Sequence, residues 1–279
     1  MTKKELEKQD TQQKRQFTVR KANEIIQKAH SEMTAQQFDI LSYLISKIKP
    51  GDEPQQTYYF TISEFCMLCN KYKGSGYYYQ SIKEDIAAIA SVNVWVRQEN
   101  GKDRLVHWLD DVLIDRGNGT IEISFHRSIY PYLFDLRERF TYYPVEYTLA
   151  LKSIYAKLLY DLLKSLERLG GEKTLSLEYL KKQLNAENYT RYPDFRRFVL
   201  EKAITEINEI TDIEVIANPK KLNSRSITHI GFNIKRVDDI SMSYYARQLN
   251  RQMRLDKELR DAITEEAERL ERGEPIEEE

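Results

Sequence analysis

What this 279-residue sequence lacks narrows its function before any motif is considered. It has only two cysteines, Cys66 and Cys69, too few for a disulfide scaffold and in keeping with a reducing cytoplasm. No apolar run approaches the roughly 20 residues that a membrane-spanning helix needs, so no membrane is expected among its partners. The charged opening MTKKELEKQDTQQKRQ has no apolar stretch of the secretory kind. GxGxxG and GK[ST] sequences are absent, which removes the usual phosphate cradles of ATP users. The four histidines (His30, His107, His126, His229) are scattered. None forms the His-hydrophobe-His pair that would hold a metal beside a catalytic Tyr in a nicking enzyme. The CxxC at Cys66–Cys69 has no second pair or nearby His to complete a zinc site. These absences predict a protein that is not an enzyme and takes no cofactor or metal.

A net excess of either charge is also missing. The net charge is −1, which alone argues against a nucleic-acid binder, but the average hides an asymmetry. Residues 152–236 carry 16 basic and 11 acidic side chains, whereas 237–279 carry 7 and 13. The segment 217–236 contains Lys220, Lys221, Arg225, Lys235 and Arg236 and no acid. A basic domain is masked by an acidic tail.

Periodicity supplies the elements. Thr34 is positioned to cap a helix whose Phe38, Leu41, Leu44, Ile45 and Ile48 share one face, stopped by Pro50-Gly51. QQTYYFTIS reads as a short strand, and Ser63 as the cap of a helix running to Tyr72. A longer helix from Tyr77 to Ala90 places Ile82, Ile86 and Ile89 together. Three strand-like runs follow (VNVWVRQ, RLVHWLDDVLI, TIEISFHR), the last two joined by a Gly-rich hairpin turn. A short helix is expected near 128–137, and FTYYPVEYT reads as a linker broken at Pro144. Tyr155, Leu158, Leu159, Leu162, Leu163 and Leu166 then mark the strongest helix, ended by Gly170-Gly171.

The chain also repeats itself. FTISEFCMLCN (60–70) laid on LSLEYLKKQLN (175–185) matches Phe60, Ile62, Phe65, Cys69 and Asn70 to Leu175, Leu177, Leu180, Leu184 and Asn185. After a six-residue shift, Ile82, Ile86, Val92 and Val94 meet Ala203, Ile207, Ile213 and Val215. This pairing makes Cys69 a core residue. Both halves read helix, strand, helix, helix, hairpin. The expected fold is therefore α+β: two tandem winged-helix domains, mostly helical with small antiparallel wings. The expected division is a disordered start (1–16), a first winged helix (17–140), a second (145–238), and an acidic C-terminal tail (239–279).

Three stretches carry a family resemblance: VRKANEIIQKAHSEMTAQQFDIL, SIYAKLLYDLLKS, and YPDFRRFVLEKAITEINEITDIEV with SITHIGFNIKR. Over residues 18–238 the chain resembles the iteron-binding replication initiator (Rep) proteins of plasmids. The resemblance implies a protein that binds double-stranded origin DNA bearing direct repeats, as a monomer, and represses its own promoter as a homodimer formed through the first domain. It also implies recruitment of a host replication initiator and helicase. A tandem winged-helix transcriptional regulator without a replication role is the alternative reading.

In such a fold the second helix of the helix-turn-helix enters the major groove with its N-terminal turns against base edges. Here that helix begins near Pro193, with Phe195, Val199, Ala203 and Ile207 inward. Arg191, Asp194, Arg197 and Phe198 face outward, and Arg196 lies at the boundary. Arg takes guanine bidentately, so Arg197 and then Arg196 are the candidates for base contact. Arg191 and Tyr192 could meet base or phosphate. Lys220, Lys221 and Arg225 suit phosphate, and Lys152, Ser153 and Lys157 resemble backbone contacts made from the long helix. The plain alternative for the arginines is a solvated helix face, and that reading is preferred for Lys181 and Lys182. Tyr77, Tyr78 and Tyr79 are expected to pack rather than stack on bases.

Overall fold

In the computed structural model, residues 18–237 are described apart from 30–31, 70–74, 99–100, 118, 135, 137–138 and 223–224. The expected disordered start, the acidic tail and Asn70 of the internal repeat lie outside the described residues.

The first winged helix grows from one buried helix. Strand β1 (Thr18–Ala22) leads through α1 (Asn23–Lys28) into α2 (Ala35–Ser46). Thr34 starts α2 with a capping box: its hydroxyl accepts from Gln37 N at 3.2 Å, and Gln37 Oε1 accepts from Thr34 N at 3.1 Å. Beyond the expected stripe, Ile40 and Tyr43 are also fully buried, so α2 is enclosed on every side from Ile40 onward rather than on one face.

Strand β2 (Tyr58–Thr61), α3 (Ile62–Leu68) and α4 (Ser75–Ser91) follow, with Ile82, Ile86 and Ile89 of α4 in the core. Helix α3 starts one residue before Ser63, and the Thr61 hydroxyl ahead of it accepts from Glu64 N at 3.0 Å. Cys66 is buried and Cys69 partly buried; the matched position of the repeat is thus the less enclosed of the two.

The long run RLVHWLDDVLI is two strands, not one. Strand β4 (Asp103–His107) pairs with β3 (Asn93–Arg97), while β5 (Leu109–Asp115) pairs with β6 (Thr120–Phe125). The chain changes sheets at buried Trp108. Strand β2 takes β6 as its partner, so the second hairpin completes the sheet of the first winged helix.

The expected linker is a structural element. After α5 (Tyr130–Leu133), the residues Phe140–Pro144 form β7, which pairs antiparallel with β1 from Thr18↔Pro144 to Ala22↔Phe140. Alternation drives this: Thr141 and Tyr143 are buried, and Pro144 sits at the strand end, where its missing N–H costs the ladder little. Helix α6 (Val145–Ala150) then leads directly into α7 (Ile154–Glu167).

The second winged helix consists of β8 (Lys173–Ser176), α8 (Leu177–Gln183), a long helix over 192–210, and the wing strands β9 (Ile213–Lys220) and β10 (His229–Arg236) in sheet order β8-β10-β9. Strand β2 and helix α3 correspond residue for residue to β8 and α8, as the internal repeat requires. Gly170 and Gly171, with φ of 60° and 63°, turn the chain after α7. A single contiguous set of buried side chains extends from Val19 to Phe232, and the described residues up to Lys235 form one compact unit.

Helix α7 is a wall common to both halves, and polar pairs line it. Lys21 of β1 bonds Asp161, which also accepts from Tyr143 Oη at 2.7 Å. On the other side, Tyr160 Oη and Lys164 Nζ donate to Asp212 at 2.8 and 2.9 Å. Burial, and then the Asp161 and Asp212 carboxylates, raise Tyr143 and Tyr160 well above the ordinary phenol range. No helix among the described residues is long and apolar enough to cross a membrane.

Candidate nucleic-acid interface

The long helix over 192–210, the candidate reading helix, has three pieces: α9 (Tyr192–Phe195), a π turn (Arg196–Leu200) and α10 (Glu201–Ile210). Pro193 occupies its first turn, where a missing N–H is harmless. Phe195, Val199, Leu200, Ala203 and Ile207 are fully buried, which fixes the helix on the core and leaves the other face to solvent. Helix α8 starts at the Ser176 cap, whose hydroxyl accepts from Tyr179 N at 3.2 Å. The tight connection after it depends on Asn185, at φ 52°, a left-handed conformation Asn tolerates.

Lys181 braces that connection. Its ammonium donates to the carbonyls of Tyr189 and Thr190, the latter at 3.0 Å, and lies 5.7 Å from the Phe195 ring centroid. The solvated reading of Lys181 is therefore replaced by a positioning one; Lys182 is exposed as expected.

The outward face carries the arginines. Arg191 is exposed and 3.8 Å from the half-exposed Asp194 carboxylate. Arg196 is exposed and donates to Glu201 at 2.6 Å; that hydrogen bond, and then the Glu201 charge, raise its pKa further. Arg197 is exposed, stands over the Phe198 ring at 5.3 Å, and has no carboxylate partner among the described residues. Tyr192 is half-buried against the core, and burial raises its hydroxyl pKa.

The wing divides its lysines. Lys220 is bound to Glu172, with Thr174 Oγ1 at 3.3 Å, and the pair lies across Gly231. A Cβ there would collide with the Glu172 carboxylate and meet Lys220 Cε at 2.7 Å. Lys220 is thus tied to the base of the wing. Lys221 and Arg225, further along, are exposed and have no ion-pair partner among the described residues.

The contacts expected from the long helix fare differently. Ser153 is the N-cap of α7, accepting from Tyr155 N at 3.2 Å. The amides of Lys152 and Ser153 already donate to the Glu206 carboxylate, while the Lys152 side chain is exposed. Lys157 is a correction: it is 1% exposed, with its ammonium 2.5 Å from Asp39 Oδ1 and 2.5 Å from the Thr148 carbonyl. A buried, doubly bonded ammonium cannot meet a phosphate without dismantling the core around it. Helical spacing placed Lys157 correctly on α7 but could not reveal that α2 and α6 cover it. The π turn was also missed, and the pattern RRFVL carries no signal for one. Tyr78 and Tyr79 pack partly against the core.

Two winged helices in tandem, the second with a cationic reading helix and wing, define a tandem winged-helix DNA-binding protein. Residues 18–164 match the family described as "Initiator Replication protein, WH1", and residues 176–234 match "Initiator Rep protein, WH2". The chain belongs to this family of replication initiators. It is 28% identical over 151 residues to the PI protein of Escherichia coli, a match covering 48% of this chain and 50% of that protein; the chain thus spans about half the length of the curated relative it matches. A crystal structure of the Pi initiator protein in complex with iteron DNA shares its fold, with a TM-score of 0.67 and 19% identity over 81% of this chain and 99% of that one. Domains 2 and 3 of RctB are a more distant likeness (TM-score 0.44, 14% identity, 76% of this chain and 86% of that one).

Proposed function

We propose that this protein starts replication of a plasmid by binding repeated sites at its origin. The observation that carries this reading is the outward face of the helix over 192–210. It presents Arg191, Arg196 and Arg197 at its N-terminal end, beside a wing whose Lys221 and Arg225 are exposed and have no ion-pair partner among the described residues. This is the arrangement by which a winged helix reads bases with one element and holds phosphates with another. The likeness in fold to an initiator solved on iteron DNA supports it.

In this reading the second winged helix supplies sequence, and the first supplies backbone contact and a dimer surface. Trp95, 60% exposed, stands opposite Leu105 across the β3–β4 pair, an apolar face that suits a second copy of the chain. The dimer would repress the protein's own promoter, and the monomer at the repeats would recruit a host initiator and helicase. The place of action is the bacterial cytoplasm.

The test is binding of the full chain to direct-repeat duplex and to scrambled duplex across a range of salt. Tighter binding to the repeats is expected. Arg197→Ala should reduce that preference by about 1–3 kcal/mol, and Lys221→Ala should flatten the salt dependence by about one unit without changing the preference. Equal affinity for repeat and scrambled DNA would overturn the reading, and a lone palindrome as the preferred site would favour a regulator without a replication role.

A further inference from the structure

We infer that Phe198 reads the 5-methyl group of a thymine in the target site. The inference rests on the DNA-reading face just proposed and adds a residue and a base to it.

Phe198 lies between Arg197 and buried Val199 on the reading helix, yet is 42% exposed. The π turn over Arg196–Leu200 accounts for this. Each residue of a π turn advances by about 80°, against roughly 100° in an α-helix, so the three steps from Phe195 carry Phe198 roughly 60° further from it. Three successive side chains, Arg196, Arg197 and Phe198, thereby face outward, while Phe195, Val199 and Leu200 remain buried.

The ring is also held in place. Tyr189 stacks behind it with centroids 6.4 Å apart and planes at 30°. The cations of Arg197 and Lys202 stand 5.3 and 5.7 Å from its centroid. An oriented apolar surface rimmed by positive charge is of no use to a solvated helix face. Its complement is an apolar group set among phosphates, and in the major groove that group is the thymine methyl.

The test begins with duplexes that the full chain selects from a randomised pool. Each thymine of the selected site is replaced in turn by deoxyuridine, which lacks only the methyl group. The wild-type protein should bind about threefold to fivefold more weakly at one thymine. Phe198→Ala should bind the parent site more weakly and be indifferent to that one replacement, keeping the wild-type response elsewhere. Phe198→Gln, which fills similar space with an amide, provides the same readout if the alanine variant melts early. The inference is overturned if both variants respond to every replacement as the wild type does, or if the wild type responds to none. Selection of no preferred sequence would instead overturn the DNA-reading proposal on which it stands.

Discussion

The Tyr160 hydroxyl and the Asp212 carboxylate are 2.8 Å apart, and that hydrogen bond joins α7 to the turn between the reading helix and its wing. Lys164 reaches the same carboxylate at 2.9 Å. Asp212→Ala would leave a buried phenol and a buried ammonium without this acceptor. A loss of about 2–4 kcal/mol is expected, visible as a lower midpoint in urea unfolding. An unchanged midpoint would mean that the join does not depend on this residue.

Lys157 distinguishes a structural lysine from a phosphate contact. Lys157→Met removes the cation held 2.5 Å from Asp39 and should destabilise the fold by about 3 kcal/mol. At temperatures where the variant remains folded, the slope of DNA affinity against salt should match wild type. A slope lowered by about one unit would return Lys157 to the interface.

In the proposed reading, Glu201 would compete with DNA for Arg196. The two are exposed and 2.6 Å apart, so their pairing adds little to stability. Glu201→Ala should keep thermal stability within about 0.5 kcal/mol. It should also raise affinity for scrambled duplex and steepen its salt dependence by about one unit. Unaltered binding would place Arg196 away from the phosphates.

The buried phenols predict the response to alkali. Burial and then neighbouring carboxylates hold Tyr143 and Tyr160 well above 10.0, and burial pushes Tyr179 up to about 12. Because the folded values exceed the unfolded ones, these groups leave stability unaffected below pH 10. Above it the unfolded chain ionises first, and stability falls. Tyrosinate absorbance of the buried rings should therefore appear together with loss of near-ultraviolet circular dichroism; absorbance rising well ahead of unfolding would contradict the burial.

Much of this architecture is written in short-range spacing. Phe60, Ile62 and Phe65 against Leu175, Leu177 and Leu180 revealed the duplication, because both segments turn the same side of a strand and helix to the core, where Leu175 and Leu177 are partly buried and the others fully. The arginines of the reading helix were legible for the same reason, since the inward stripe defines the outward face. Pairings over long sequence distances were not. Thr141 and Tyr143 look like linker residues until β1, more than a hundred residues earlier, is laid beside them. Lys157 and Lys181 have polar side chains whose partners come from other elements, so their own spacing could not distinguish bound from solvated. The π turn leaves no mark in residue type.

Helix α7 is interior to both winged helices, and this bears on how such proteins diverge. A hybrid taking its second half from a relative would set a foreign residue at position 212 against the resident Tyr160 and Lys164. In the proposed reading, new target sites would therefore be reached more readily by changing side chains on the outer surface of 192–210 than by exchanging whole halves.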